Sequence, residues 1–130
     1  MCVEILAPKL SLPDGTSLPF SVTTRAIRLI FSSGQLGIDA SFRLIDGGVD
    51  AQARQCIAHI QRILGSIGAS LADIAKTTVW LTDFSQFTAF NIAYSKAFGS
   101  HPLARSTVAW PLALPCALVE IEAIARDPIA

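Results

Sequence analysis

Two short runs near the C-terminus hold the residues best suited to chemistry. One is His-Pro-Leu-Ala-Arg-Ser-Thr-Val at 101–108, with Arg105 at its centre; the other is Ala-Leu-Val-Glu-Ile-Glu-Ala-Ile-Ala at 117–125. A guanidinium can hold a carboxylate in a two-pronged fork, and a carboxylate can steer a water and exchange its proton. Arg105 with Glu120 is therefore a minimal hydrolytic site for a small acidic molecule. Taken alone, Arg105 reads as an ordinary strand-end cation. In the second run Val119, Ile121 and Ala123 alternate with Glu120 and Glu122, the pattern of a strand with two faces. Leu118 and Ile124 share the carboxylate face, so that face suits a pocket or an interface better than open water.

Other chemistries find little support. His59 and His101 have no Cys or carboxylate at ligand spacing, so no metal site is expected. Gly34, Gly37, Gly47 and Gly48 form no phosphate-cradling pattern, and no Gly-x-Ser-x-Gly elbow is present. Cys2, Cys56 and Cys116 are too few and too scattered for a disulfide framework or a zinc site, and they suit a reducing cytosol. Cys56 falls on an apolar helix face, and Cys116 has no histidine near it in sequence, so both read as inert. Ten basic and ten acidic residues cancel with no basic run, which argues against a nucleic-acid partner.

The N-terminus lacks the basic start and apolar run of a signal peptide. No stretch approaches the roughly 18 apolar residues of a membrane helix, so a soluble, cytoplasmic protein is expected. The 130 residues suit one domain, 1–130. Hydrophobic content is 52% against only 15% charged, which implies more apolar surface than a monomer readily hides. Subunit interfaces are expected.

The elements that must position the pair follow from periodicity. Residues 3–6 suit a short edge strand stopped by Pro8, and 9–19 a loop with an Asp14-Gly15 turn. Residues 20–25 and 27–33 suit a hairpin, and 42–45 another short strand. From Asp50 the period becomes helical. Ala53, Cys56, Ile57, Ile60, Ile63, Leu64 and Ile67 form the stripe, with Gln52, Arg54, Gln55, Gln61 and Arg62 on the other side. Asp50 is the expected cap, with Gly65 or Gly68 at the end. The β-branched run 74–81 is a strand. Asp83 with Gln86 suggests a capping box for a second helix, whose core stripe is Phe84, Phe87, Phe90, Tyr94 and Phe98. Strands at about 105–110 and 117–126 flank a Pro111–Pro115 loop. The order predicts an α+β fold: one mixed β-sheet with two helices packed on one face.

Several of these segments, in order and at matching spacing, resemble the Rid (YjgF-type) family of enamine/imine deaminases. They are Pro19-Phe20-Ser21, Phe31-Ser32-Ser33-Gly34-Gln35, the helix from Ala53 to Leu64, Lys76 to Asp83, Phe90-Asn91-Ile92-Ala93-Tyr94, and above all 102–108 with 119–125. The resemblance implies a chorismate-mutase-like subunit and a homotrimer whose sheets form a central barrel, with sites between subunits. It implies hydrolysis of a carboxylate-bearing imine or enamine to a 2-oxo acid and ammonia, without metal or cofactor. Arg105 would bind the substrate carboxylate, and Glu120 would position the water. Phe20, Gly34, Asn91, Thr107 and Trp110 complete the implied substrate-contacting set.

The chain departs from the family pattern at Phe20 (commonly Tyr), at Thr107 (commonly Cys) and in the Trp110-Pro111 to Cys116 loop. These changes make the expected pocket wall more apolar and point to a bulkier or pathway-specific substrate. Two alternatives stand beside this expectation. One is a non-catalytic trimer binding a small carboxylate, against which the retained Glu120 argues. The other is an aminomuconate-type deaminase, kept open by Phe20 and Trp110.

Overall fold

The computed structural model describes residues 2–7 and 9–129, without the side chain of Lys9. Its main sheet has seven strands. These are β1 (Glu4–Ile5), β4 (Thr23–Ala26), β5 (Leu29–Ser32), β6 (Gln35–Leu36), β7 (Ile74–Leu81), β8 (Ala104–Ala109) and β9 (Val119–Arg126). They run in the order β1-β4-β5-β9-β7-β8, and β6 continues beside β9 where β5 leaves it. All neighbours are antiparallel except β7 and β8, which are parallel. Two parallel strands need a crossover, supplied here by helix α2 (Phe87–Phe98). Helix α1 (Gly48–Gly65) packs beside α2 on the same face of the sheet.

Strand alternation decides which side chains meet the helices. On β9, Val119, Ile121, Ala123 and Ala125 are buried, while Glu120, Glu122 and Ile124 are only partly covered. On β7, Thr77, Val79 and Leu81 are buried against the same layer. Ala53, Cys56, Ile60 and Leu64 of α1 and Phe90, Ala93 and Phe98 of α2 close the core from above. Among the described residues no helix packs on the opposite face of the sheet. That face exposes Ile5, Leu29 and Val108 and leaves Phe31, Leu36 and Trp80 partly uncovered.

Several expectations need correction. The segment read as a loop at 9–19 contains a two-stranded ribbon, β2 (Lys9–Ser11) with β3 (Ser17–Ser21). Pro13 falls in the turn between them, and Pro19 is accommodated in β3 because that strand has only one partner, so a missing N–H costs little. Residues 42–45 form only the isolated bridge Ile38–Leu44. Pro8 lies outside the described residues. Helix α1 begins at Gly48 after Gly47, both with positive φ, and has no side-chain cap. Asp50 sits instead in the first turn, paired with Arg54 at 2.9 Å. Asp83 caps a short 3-10 turn (Phe84–Gln86) by accepting from the Ser85 N–H at 2.9 Å, and no reciprocal Gln86 bond completes a box. Phe84, in that turn rather than in α2, is out of helical register; it stays exposed and stacks on Phe87.

Candidate active site

Arg105 lies on β8 directly beside Thr77 of β7. Paired residues in a parallel ladder point to the same side, so Arg105 faces the helices with Thr77. Its guanidinium carbon lies 4.7 Å from the Tyr94 ring centre, 5.4 Å from Phe90 and 5.7 Å from Phe87. Aromatic faces attract a cation by their quadrupole, each worth about 0.5–1 kcal/mol at partly exposed sites. The phenol of Tyr94 meets the Thr77 hydroxyl at 2.7 Å in the buried layer. Burial raises the Tyr94 pKa; the Thr77 hydrogen bond and the Arg105 charge oppose that shift. Among the described residues no carboxylate pairs with Arg105. Its donors are thus free for a ligand.

Asn91 stands on the same stripe of α2, one turn after Phe87. Its Oδ1 is buried and has no hydrogen-bond partner, an arrangement that is costly unless a donor arrives. Thr107 lies opposite Val79, two residues beyond Arg105 and on the same face.

Glu120 lies elsewhere. It pairs with Trp80 on one side and Leu36 on the other, all three on the open face of the sheet. Glu122 follows on that face, opposite Thr78. Partial burial is the larger cause raising the Glu120 pKa, and the charge of Glu122 raises it further. A carboxyl so raised exchanges its proton nearer neutrality, as a general base must. Gly34 sits against it: a methyl group there would overlap Glu120 Oε2. The absence of a side chain lets the carboxylate lie across the β5–β6 connection.

Arg105 and Glu120 therefore occupy opposite faces of one subunit's sheet, which the linear sequence does not reveal. Two grooves on the chain, about 590 and 270 Å³, are lined by other residues entirely. Phe20 is on the separate ribbon and 47% exposed, and Trp110 follows β8 and is 68% exposed. The structure brings Arg105, Asn91 and Thr107 to one region and Glu120 with Gly34 to another. β8 is an edge strand, so the first group stands beside a free sheet edge.

Sequence reasoning overlooked two supporting contacts. The aromatic stripe is more than core: Phe87, Phe90 and Tyr94 also form the bed of Arg105. Gln52 was placed on the polar side of α1, yet it is buried and its Oε1 accepts the Leu118 N–H at 2.9 Å. That bond ties α1 to the start of the strand bearing Glu120. The signal was present: Gln52 lies four residues before Cys56 and one turn from the core stripe.

Comparison with known proteins bears on the family and the fold. A family model described as "Endoribonuclease L-PSP" matches residues 14–127. A goat (Capra hircus) protein named 2-iminobutanoate/2-iminopropanoate deaminase is 39% identical over 108 residues, covering 82% of this chain and 79% of its own. A putative endoribonuclease from Thermotoga maritima superposes with a TM-score of 0.82 at 32% identity, covering 97% of this chain and 98% of the other. Escherichia coli TdcF, solved with bound serine, gives 0.77 at 28% identity over 92% of each chain. With the mixed sheet, the two helices and these relatives together, the chain belongs to the Rid (YjgF-type) family.

Proposed function

We propose that this protein is a cofactor-free deaminase that hydrolyses carboxylate-bearing imines to 2-oxo acids and ammonia. The observation that carries the reading is the unpaired Arg105, bedded on three aromatic rings with its donors free. An acidic small molecule is the ligand such a fork selects, and the deaminase name of the goat relative supports the same class. The substrate carboxylate docks on Arg105. Ionised Glu120 orients a water toward the imine carbon and takes its proton as the C–O bond forms. Glu120 returns that proton to the imine nitrogen, which gives the carbinolamine; it then takes the hydroxyl proton and passes it to the amine as the C–N bond breaks, so that ammonia leaves as the C=O forms. An imine carbon is already electrophilic, so alignment and proton transfer carry most of the work.

Opposite faces of one sheet favour a site completed by a second copy. A homotrimer that sets the β8 edge of one subunit against the open face of the next would bring Arg105 and Glu120 to one cleft. The apolar open face, with Ile5, Leu29 and Val108 exposed, supports such burial. Phe20 and Trp110 would then enter the cleft wall and favour an imine with an apolar side chain. Net charge of zero and the lack of a basic run in the sequence argue against an RNA substrate, despite the family model's description.

The test is direct assay of imines generated in situ from small and branched amino acids. Accelerated release of 2-oxo acid and ammonia is expected, and Arg105→Lys should lose roughly 2–4 kcal/mol of transition-state binding because Lys lacks the fork. Carboxylate binding without any acceleration would leave a binding protein instead.

A further inference from the structure

We propose that the Thr77–Tyr94 hydrogen bond is the positioning device that aims Arg105 at its carboxylate ligand; this rests on the deaminase reading. Arg105 needs a fixed direction but must keep its N–H donors unspent. A carboxylate partner would fix it and consume the fork. An aromatic bed holds the cation through ring faces and leaves every N–H available. The bed directs the guanidinium only as well as its own rings are fixed.

The closest ring, Tyr94 at 4.7 Å, is fixed from three sides. Phe90 lies 5.5 Å from it at 43°, and Phe98 lies 4.7 Å away at 44°. The third constraint is the phenol, tied to Thr77 at 2.7 Å. Thr77 is itself 1% exposed and sits directly beside Arg105 in the parallel ladder. The residue that anchors the ring thus belongs to the strand neighbour of the residue that the ring carries. Strand register, phenol tether and cation form one closed circuit from β7 through α2 to β8. Thr77 and Tyr94 touch no substrate and act through Arg105.

Calorimetric titration of the full-length protein with 2-oxobutanoate, the product class, reads the aim of the fork without requiring turnover. Tyr94→Phe keeps the ring and removes the tether; Thr77→Val keeps the volume and removes the partner. Each should raise Kd, and KM for the imine, by about 5–20-fold while kcat stays within about twofold, because ground state and transition state lose the same contact. The double variant should be no worse than the weaker-binding single, since both break one bond. Thr77→Ser, which retains the hydroxyl, should bind like wild type. If either tether variant fails to fold by circular dichroism, the other against Thr77→Ser decides. Unchanged Kd in the tether variants, additive effects in the double, or no binding of 2-oxobutanoate by wild type would overturn the proposal. Wild-type binding without imine turnover would instead overturn the deaminase reading and leave the tether test intact.

Discussion

Glu120 couples stability to activity through one proton. Burial first, and Glu122 second, raise its pKa in the folded chain. Below the ordinary Glu range, near pH 4, folded and unfolded chains both hold the proton and folding carries no penalty. As pH rises from there through the raised pKa, the unfolded chain ionises first and the folded state loses stability; above it the penalty is complete. Glu120→Gln should therefore melt higher than wild type at pH 8, with the gap closing toward about pH 4. The same variant should lose about 10²–10⁴-fold in kcat, because its amide cannot take the water's proton. Wild-type kcat should rise with pH through the raised pKa, and Glu122→Gln should move that limb to lower pH. A melting point for Glu120→Gln below wild type at pH 8 would show that the carboxylate stabilises the fold. Gly34→Ala tests the same group by sterics. Its methyl would push against the far end of a flexible carboxylate, so the melting point should change little. Displacing the water by about 1 Å should nonetheless cost on the order of 10²-fold in kcat.

At the scale of the element, the loop from β8 to β9 stores strain just before the strand that bears Glu120. The Ala117 N–H donates to the Leu114 carbonyl at 3.2 Å, closing a turn with Pro115 and Cys116 at its centre. Cys116 has φ of 67°, the left-handed conformation that the third position of a type II turn requires. A side chain there costs about 1 kcal/mol. Cys116→Gly should raise stability in urea by roughly that amount, less some offset from the freer unfolded chain. Cys116→Ala, which keeps the Cβ, should not. Equal gains from both would trace the effect to the thiol rather than to the backbone.

At the scale of the molecule, the position of Arg105 and Glu120 on opposite faces makes assembly part of the proposed chemistry. Light scattering should give three times the subunit mass at micromolar concentration. Arg105→Lys and Glu120→Gln, each nearly inactive alone, should regain activity when co-assembled. In random equimolar trimers about a quarter of the inter-subunit clefts would pair a native Arg105 with a native Glu120. If each cleft instead draws both residues from one chain, mixing restores nothing. That outcome would require Arg105 to turn around the β8 edge and would remove the need for a second copy at the site.

The alternation Val119-Glu120-Ile121-Glu122-Ala123 already determined that β9 buries its apolar side and turns its carboxylates away, because a strand has a period of two. The run Ile74–Leu81 likewise determined its own boundaries through β-branched content, and the Ala53-to-Leu64 stripe determined α1. Local rules failed where a tertiary partner overrode them. Pro19 is tolerated because β3 pairs on one side only, and Gln52 is buried because the Leu118 N–H needs an acceptor. The identities of Arg105 and Glu120, and the chemistry they suit, were legible in one dimension. Their separation across the sheet was not: it depends on the registers Thr77–Arg105 and Trp80–Glu120, in which β7 pairs with β8 on one side and β9 on the other. Register is a long-range property, set by how the core closes, and a shift of one residue would have turned either side chain to the other face.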